Sequence, residues 1–99
     1  MLNITKNIEN KKAVVAVEGR LDTTTAPELE EALKDILANA DSLILDFENL
    51  EYISSAGLRV LLSTQKAMAG KNGMEITNVN GTIMEIFEVT GFSDILTIK

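Results

Sequence analysis

The sequence predicts a single α/β domain over residues 1–99, with about three helices packed on a mixed, mostly parallel β-sheet of four to five strands. Strand-like and helix-like segments alternate in the order β, β, α, β, α, β, α, β, which requires crossover connections between parallel strands. One early hairpin adds an antiparallel pair and makes the sheet mixed. The chain is 45% hydrophobic and 24% charged, a composition that suits one folded core and argues against disorder.

The first two strands are predicted to form the hairpin. Residues 12–18 are an apolar, β-branched run typical of a buried strand, whereas residues 2–8 give a weaker strand pattern. Asn10 and Lys11 stand between the two runs and are suited to the turn.

A helix is predicted next, ending at residues 39–41. Thr25 and Glu28 have the spacing of a capping box, and Pro27 stands in the first turn, where its missing N–H costs little. Apolar residues then recur on one helical face: Leu29, Ala32, Leu33, Ile36 and Leu37.

A second strand and helix follow. Residues 42–47 predict a buried strand, residues 48–53 a connecting loop, and residues 55–69 a helix. Gly70 and Gly73 close this helix. Its apolar face, which Gln65 interrupts, consists of Leu58, Leu61, Leu62 and Met68.

The last third of the chain predicts a third core strand, a helix and a short final strand. The strand covers residues 74–79, and the helix begins at Asn80 or Gly81. Gly91 has the position of a left-handed glycine after the helix end, and residues 95–98 give the final strand. The apolar side of the helix carries Ile83, Ile86 and Phe87.

The missing residue types exclude several function classes. The chain has no Cys and no His, which excludes thiolate catalysis, disulfides, zinc fingers and Ser-His-Asp triads. With no Trp, one Tyr and a formal net charge of -6, it is not expected to bind nucleic acid. Asp46, Glu48 and Glu51 lack a supporting metal-ligand constellation, so we predict no metal and no cofactor. No apolar run approaches a membrane span, and residues 1–6 carry no secretory signal, so we expect a cytoplasmic protein.

Two loops are candidates for a site, because function on parallel sheets concentrates at the carboxyl ends of strands. In the loop at residues 51–57, Ser54 and Ser55 precede the second helix. One serine would suffice as a cap, whereas Gly57 in the first turn is costly in a helix and permits a close approach. The pattern fits either a capped helix end or a small surface of hydroxyls and N–H groups that binds an anion or accepts a phosphate.

The other loop, residues 19–25, contains Asp22 and Thr25. Both side chains are suited to local hydrogen bonds that hold the loop. The alternative is that Asp22 lies beside Ser54 and Ser55 at the same end of the sheet. Its carboxylate would then order the hydroxyl loop or face a basic group of a partner.

Three segments resemble signature blocks of the STAS domain. Residues 17–26 (VEGRLDTTTA) resemble its opening block, residues 43–62 (LILDFENLEYISSAGLRVLL) its central signature, and residues 89–95 (VTGFSDI) its C-terminal block. These blocks span nearly the whole chain in the right order. The chain is identified as a member of this family and is similar to stand-alone bacterial anti-sigma factor antagonists.

The resemblance implies a regulator that works by partner switching and is not an enzyme. An unphosphorylated antagonist of this kind binds an anti-sigma factor that is also a serine kinase, which frees the sigma factor. The kinase ejects the antagonist by phosphorylating it, and a metal-dependent serine phosphatase restores it.

The family's phosphoserine, counted back from Gly57, falls on Ser55, with Ser54 as a minor alternative. Ser54 stands where the family usually has Asp, and Ala56 where it has Ser or Thr. The resemblance implies these partner-binding residues: Asp22, Thr23, Thr24, Ser54, Ser55, Ala56, Gly57 and Arg59.

Two other functions stay open from the sequence. A STAS adaptor that is never phosphorylated could serve as a subunit of a transporter or signalling complex. An enzyme, such as a nucleotide hydrolase, would need a base near Ser55, and without His or Cys only Asp22, Glu51 or a lysine is available.

Overall fold

In the computed structural model, which describes residues 2–99 and leaves Met1 outside, three helices pack on one mixed sheet of six strands. The predicted fold class is confirmed. The elements in chain order are β1 (Leu2–Glu9), β2 (Lys12–Leu21), α1 (Ala26–Asn39), β3 (Ser42–Asp46), β4 (Leu50–Ile53), α2 (Ser55–Ala69), β5 (Met74–Thr77), α3 (Gly81–Thr90), a short 3₁₀ helix (Phe92–Asp94) and β6 (Thr97–Ile98).

The sheet is built around the long strand β2. Its strands lie in the order β1-β2-β3-β5-β6, and β4 pairs with β2 outside this row. β1 is antiparallel to β2, and the other pairs are parallel. Lys12 to Ala16 of β2 pair with β3, whereas the far end of β2 pairs with β4 and sets Leu21 opposite Ile53.

The hairpin turn lies where the sequence predicts it. Asn10 and Lys11 have φ values of 51° and 64°, so both adopt the left-handed conformation. Two consecutive left-handed residues form the turn whose twist matches that of paired antiparallel strands. The turn sets the register in which Glu9 faces Lys12 and Ile4 faces Val17.

The core lies on one face of the sheet. Along β2, Ala13, Val15 and Val17 are fully buried, whereas Val14 between them is 39% exposed. The run at residues 12–18 is therefore covered on one face only, although its uninterrupted apolar pattern suggests burial on both. Helix residues that join the same core cluster include Leu29, Leu33 and Ile36 of α1, Leu61 and Met68 of α2, and Ile83 and Phe87 of α3.

The structure differs from the sequence prediction at several segment boundaries. β2, predicted over residues 12–18, continues to Leu21, and β3, predicted over residues 42–47, ends at Asp46. Leu50–Ile53, expected as part of a loop, forms β4 because β2 extends beyond β3 and offers its last residues for pairing. β5 ends at Thr77, since Asn78 has a left-handed φ of 58° and cannot continue a strand. Within the predicted strand at residues 95–98, only Thr97–Ile98 pairs, because the chain before it turns through the 3₁₀ helix.

The ends of α3 are as predicted. The Asn80 side chain accepts a hydrogen bond from the N–H of Ile83 at 2.9 Å and so caps the helix. Gly91 ends the helix with a left-handed φ of 81°, as a glycine in this position should.

Candidate functional site

The two candidate loops meet at the carboxyl ends of β2 and β4. The N–H of Ser54 donates to the carbonyl of Leu21 at 2.8 Å, directly after the last paired residues of the two strands. This bond places Asp22 beside Ser54 and Ser55, which confirms the predicted neighbourhood of the two loops. The partner-binding role of these residues stays a prediction.

Asp22 is the hydrogen-bond centre of the loop before α1. Its Oδ1 accepts from the hydroxyl of Thr24 at 2.8 Å and from the N–H groups of Thr24 and Thr25 at 3.0 and 3.1 Å. The Thr24 hydroxyl, helped by these N–H groups and opposed by desolvation, holds the pKa of Asp22 below its ordinary value. The prediction that Asp22 holds the loop by local hydrogen bonds is therefore confirmed. Its Oδ2 has no donor in the part of the chain that the structure describes, and it can face a partner.

The predicted capping box at the start of α1 is wrong. The buried Thr25 hydroxyl donates to the carbonyl of Arg20 at 2.7 Å and accepts from the N–H of Asp22 at 2.8 Å. It therefore makes no side-chain cap of α1. The N–H of Ala26 donates instead to the carbonyl of Asp22 at 2.8 Å. The hydroxyl of Thr25 thus holds the loop to the end of β2. The spacing of Thr25 and Glu28 does not distinguish this role from that of a helix cap.

The start of α2 has no side-chain cap either. Ser54 precedes the helix with extended backbone angles, but its Oγ is buried and has no hydrogen-bond partner among residues 2–99. The first bond of the helix runs from the N–H of Leu58 to the carbonyl of Ser54 at 2.9 Å. Within the described chain, the N–H groups of Ser55, Ala56 and Gly57 therefore lack acceptors. The sequence left two alternatives for this segment, a capped helix end or a small surface of hydroxyls and N–H groups. The structure does not form the serine cap.

Ser55 is the hydroxyl that solvent reaches. It is the first residue of α2 and is exposed, whereas the Oγ of its neighbour Ser54 is enclosed. A protein kinase needs an accessible hydroxyl, so this difference favours Ser55 over Ser54 as an acceptor of phosphate.

Gly57 holds the start of α2 against the sheet. A Cβ at this buried position would lie 2.8 Å from Cγ1 of Ile53 and 2.8 Å from Cγ of Leu21. The lack of a side chain thus allows α2 to approach the ends of β2 and β4. The close approach expected from the sequence is internal to the fold. A contact of Gly57 with a partner stays a prediction.

A groove of about 370 Å³ between the starts of α1 and α2 is lined by Ala56, the residue after Ser55. It brings together three predicted residues, Thr23, Ala56 and Arg59. The sequence did not predict the other five lining residues, which are Ala26, Pro27, Glu30, Val60 and Ser63. The spacing of Val60 and Ser63 nevertheless places both on the same side of α2 as Ala56.

A second, larger groove of about 840 Å³ lies on the other side of β4 and is lined by Glu18, Glu48 and Glu51 together with Asn49 and Asn80. Among residues 2–99, no three His, Cys, Asp or Glu side chains are grouped so that they could hold a metal ion. The helices in the same range are all too short or too polar to cross a membrane.

Comparison with known proteins identifies the family. Residues 2–99 match the STAS domain. An anti-sigma-B factor antagonist of Staphylococcus aureus (strain NCTC 8325 / PS 47) is 35% identical over 101 residues, which cover 99% of this chain and 93% of that protein.

Solved structures have the same fold. An anti-sigma factor antagonist from Mycobacterium paratuberculosis superposes with a TM-score of 0.90 at 23% identity, covering 99% of this chain and 85% of that one. The Bacillus cell fate determinant SpoIIAA in its phosphorylated form superposes with a TM-score of 0.76 at 16% identity, covering 98% and 91%. The resemblance seen in the sequence is thereby confirmed: the chain belongs to the STAS domain family.

Proposed function

We propose that this protein is an anti-sigma factor antagonist that binds its partner with the end of β2 and the start of α2. The observation that carries the proposal is the exposed hydroxyl of Ser55 in the first turn of α2, beside the Asp22 loop. The name of the S. aureus relative, anti-sigma-B factor antagonist, supports the class of partner. The unmodified protein would bind an anti-sigma factor and so release a sigma factor.

The anti-sigma factor in this proposal is also a serine kinase that uses ATP. The Ser55 oxygen attacks the terminal phosphorus of ATP, an O–P bond forms, the bond to ADP breaks, and the serine proton passes to a base of the kinase. The phosphoserine carries a charge of about −1.5 to −2 at neutral pH. A metal-dependent serine phosphatase removes the phosphate: water replaces the serine oxygen on phosphorus, inorganic phosphate leaves, and the serine hydroxyl is restored. In both steps this protein is the substrate.

The start of α2 can carry the added charge without loss of the fold. The unpaired N–H groups of Ser55, Ala56 and Gly57 point out of the helix end, where negative charge is stabilised by about 0.3–1 kcal/mol. The phosphorylated form of SpoIIAA, a protein of the same fold, supports this expectation.

The partner surface responds differently to the same charge. A surface packed against the Ser55 hydroxyl would enclose a dianion with no counter-charge, at a cost of several kcal/mol. A loss of about 4 kcal/mol lowers affinity roughly a thousandfold. Phosphorylation therefore ejects the partner by charge and bulk, with no refolding of the domain.

The neighbouring loop supplies the other predicted contacts. Thr23 and Thr24 are exposed, and Oδ2 of Asp22 is available to a donor from a partner. Asp22 also organises this loop, so a variant that tests its contact with a partner should keep the shape of the side chain. Asp22→Asn keeps that shape and removes the charge.

The test is phosphate transfer from ATP by serine kinases encoded in the same genome, followed by mapping of the modified residue by mass spectrometry. We expect Ser55→Ala to abolish incorporation and Ser54→Ala to retain most of it. Ser93→Ala, in the 3₁₀ helix, is the matched control and should be labelled like the wild type. Full labelling of Ser55→Ala would contradict the assignment. Binding to a transporter subunit with no kinase able to modify the protein would favour the unphosphorylated adaptor.

A further inference from the structure

Arg59 is an exposed arginine on α2 that forms no ion pair within residues 2–99. The two ion pairs in this part of the chain join Lys34 to Glu31 at 3.2 Å and Lys99 to Glu75 at 3.7 Å. Arg59 is one of the residues that line the groove between α1 and α2. The proposed function gives this charge no specific task.

The helix places Arg59 next to Ser55. The two residues are four positions apart on α2, which is about 6 Å along the axis, and side chains at this spacing lie on the same helical face. An acidic group that precedes a basic group by four residues is also the favourable order for a helical ion pair. Arginine binds phosphate oxygens through two parallel N–H groups.

Other cations are held away from Ser55. Arg20 stacks on the ring of Tyr52 with 4.5 Å to the ring centroid. Both of these side chains alternate with Leu21 and Ile53, so they lie on the face of the sheet that α2 does not cover.

The lysines on and beside α2 are equally remote from Ser55. Lys71 donates to the carbonyl of Ala40 at the end of α1. Lys66, which is also on α2, lies about 16 Å further along the helix axis than Ser55. Arg59 is the cation that the helix brings to the modified serine.

We propose that the guanidinium of Arg59 binds the phosphate of phosphorylated Ser55 in an ion pair within α2. The inference rests on the proposed function for the phosphate itself. While Ser55 carries only its hydroxyl group, the exposed Arg59 is available to a carboxylate of the partner. Once the phosphate is present, that cation is occupied, so modification removes a positive contact as well as adding negative charge. Ser55→Asp should mimic phosphorylation only in part, since its carboxylate is shorter than a phosphoserine and carries one charge.

The pairing can be measured without a kinase. Phosphoserine is incorporated at position 55 during translation, and the second pKa of the phosphate is followed by ³¹P NMR. A neighbouring cation lowers this pKa, so we expect Arg59→Gln to raise it by about 0.3 of a pH unit. Arg59→Lys should restore part of the shift, and about 1 M salt should remove it, because salt screens exposed charges. Lys66→Gln removes the same charge from the same helix and is the matched control, with no expected shift.

The carboxylates near the phosphate do not confuse this comparison. Asp22 in the loop before α1 and Glu30 on α1 both raise the phosphate pKa, but they do so equally in the wild type and in Arg59→Gln. Glu51 on β4 lines the other, larger groove, and it too is the same in the wild type and in Arg59→Gln.

The outcomes separate the ion pair from the proposed function. A phosphate pKa that is the same in the wild type and in Arg59→Gln would overturn the ion pair, even if a kinase labels Ser55. A shift that depends on Arg59 would support it, even if no kinase modifies the protein and the proposed function fails.

Discussion

Gly57→Ala tests whether the close approach of α2 to the sheet fixes the site. The new methyl carbon would lie 2.8 Å from side-chain carbons of both Ile53 and Leu21, nearer than the 3.0 Å that real Cβ atoms keep. Both neighbours are buried, so the helix or the strand ends must shift. Overpacking of this kind costs about 1–3 kcal/mol, and the better helix propensity of alanine returns up to about 1 kcal/mol. We therefore expect a net loss of about 1–2 kcal/mol in the free energy of unfolding.

Thermal and urea unfolding followed by circular dichroism measure this loss. For a domain of this size it corresponds to a fall in Tm of roughly 5–15 °C. Gly70→Ala is the matched control at the other end of α2. A Cβ there meets nothing within 4 Å and φ is -82°, so the variant should be as stable as the wild type or slightly more so. If Gly57→Ala proved as stable as Gly70→Ala, the idea that Gly57 sets the position of Ser55 would be refuted.

Two further predictions concern Asp22 and Gln65. Because hydrogen bonds lower the pKa of Asp22, its ionised form stabilises the fold above about pH 4, and this contribution is lost as the pH falls through the lowered value. Asp22→Asn should therefore be less stable than the wild type near neutral pH, with a difference in urea unfolding that shrinks as the pH falls below about 4. A difference that stays constant with pH would contradict this, and Asp35→Asn at an exposed position of α1 is the control. Gln65 has a buried Oε1 with no hydrogen bond among the described residues, so Gln65→Met should raise the free energy of unfolding by about 1 kcal/mol. The control is Thr64→Val, which removes a hydroxyl that donates to the carbonyl of Val60 at 2.8 Å and should not raise the free energy of unfolding. If Gln65→Met left the free energy of unfolding unchanged, the unpaired amide oxygen would not be destabilising.

The sequence predicts the elements well where local chemistry is unambiguous. Asn80 and Gly91 end their helix as expected, because a cap and a left-handed glycine depend on a few adjacent residues. β4 is missed for the opposite reason. Leu50–Ile53 is too short to show a periodicity, and it is a strand only because the distant end of β2 lies alongside it.

The candidate site is predicted in its position but not in its bonding. The neighbourhood of Asp22 and Ser55 follows from topology, since parallel strands bring the loops after them to one edge of the sheet. The capping box fails because Thr25 has a competing acceptor, the Arg20 carbonyl, that becomes available only when β2 has formed. Which serine is exposed also depends on folding, because Ser54 and Ser55 have the same side chain and differ only in burial.

The arrangement at the start of α2 has a consequence for how a switch at Ser55 would work. Gly57 lets the first turn of α2 pack against the buried side chains of Leu21 in β2 and Ile53 in β4. The start of α2 therefore cannot move without loss of packing when Ser55 carries a phosphate. The charge of the phosphate is stabilised by the unpaired N–H groups and, as we propose, by Arg59. The domain would keep its shape and change only the charge that it presents to a partner. Amide NMR shifts on phosphorylation should accordingly stay within residues 22–26 and 54–61, and shifts spread over α3 would show that the domain rearranges instead.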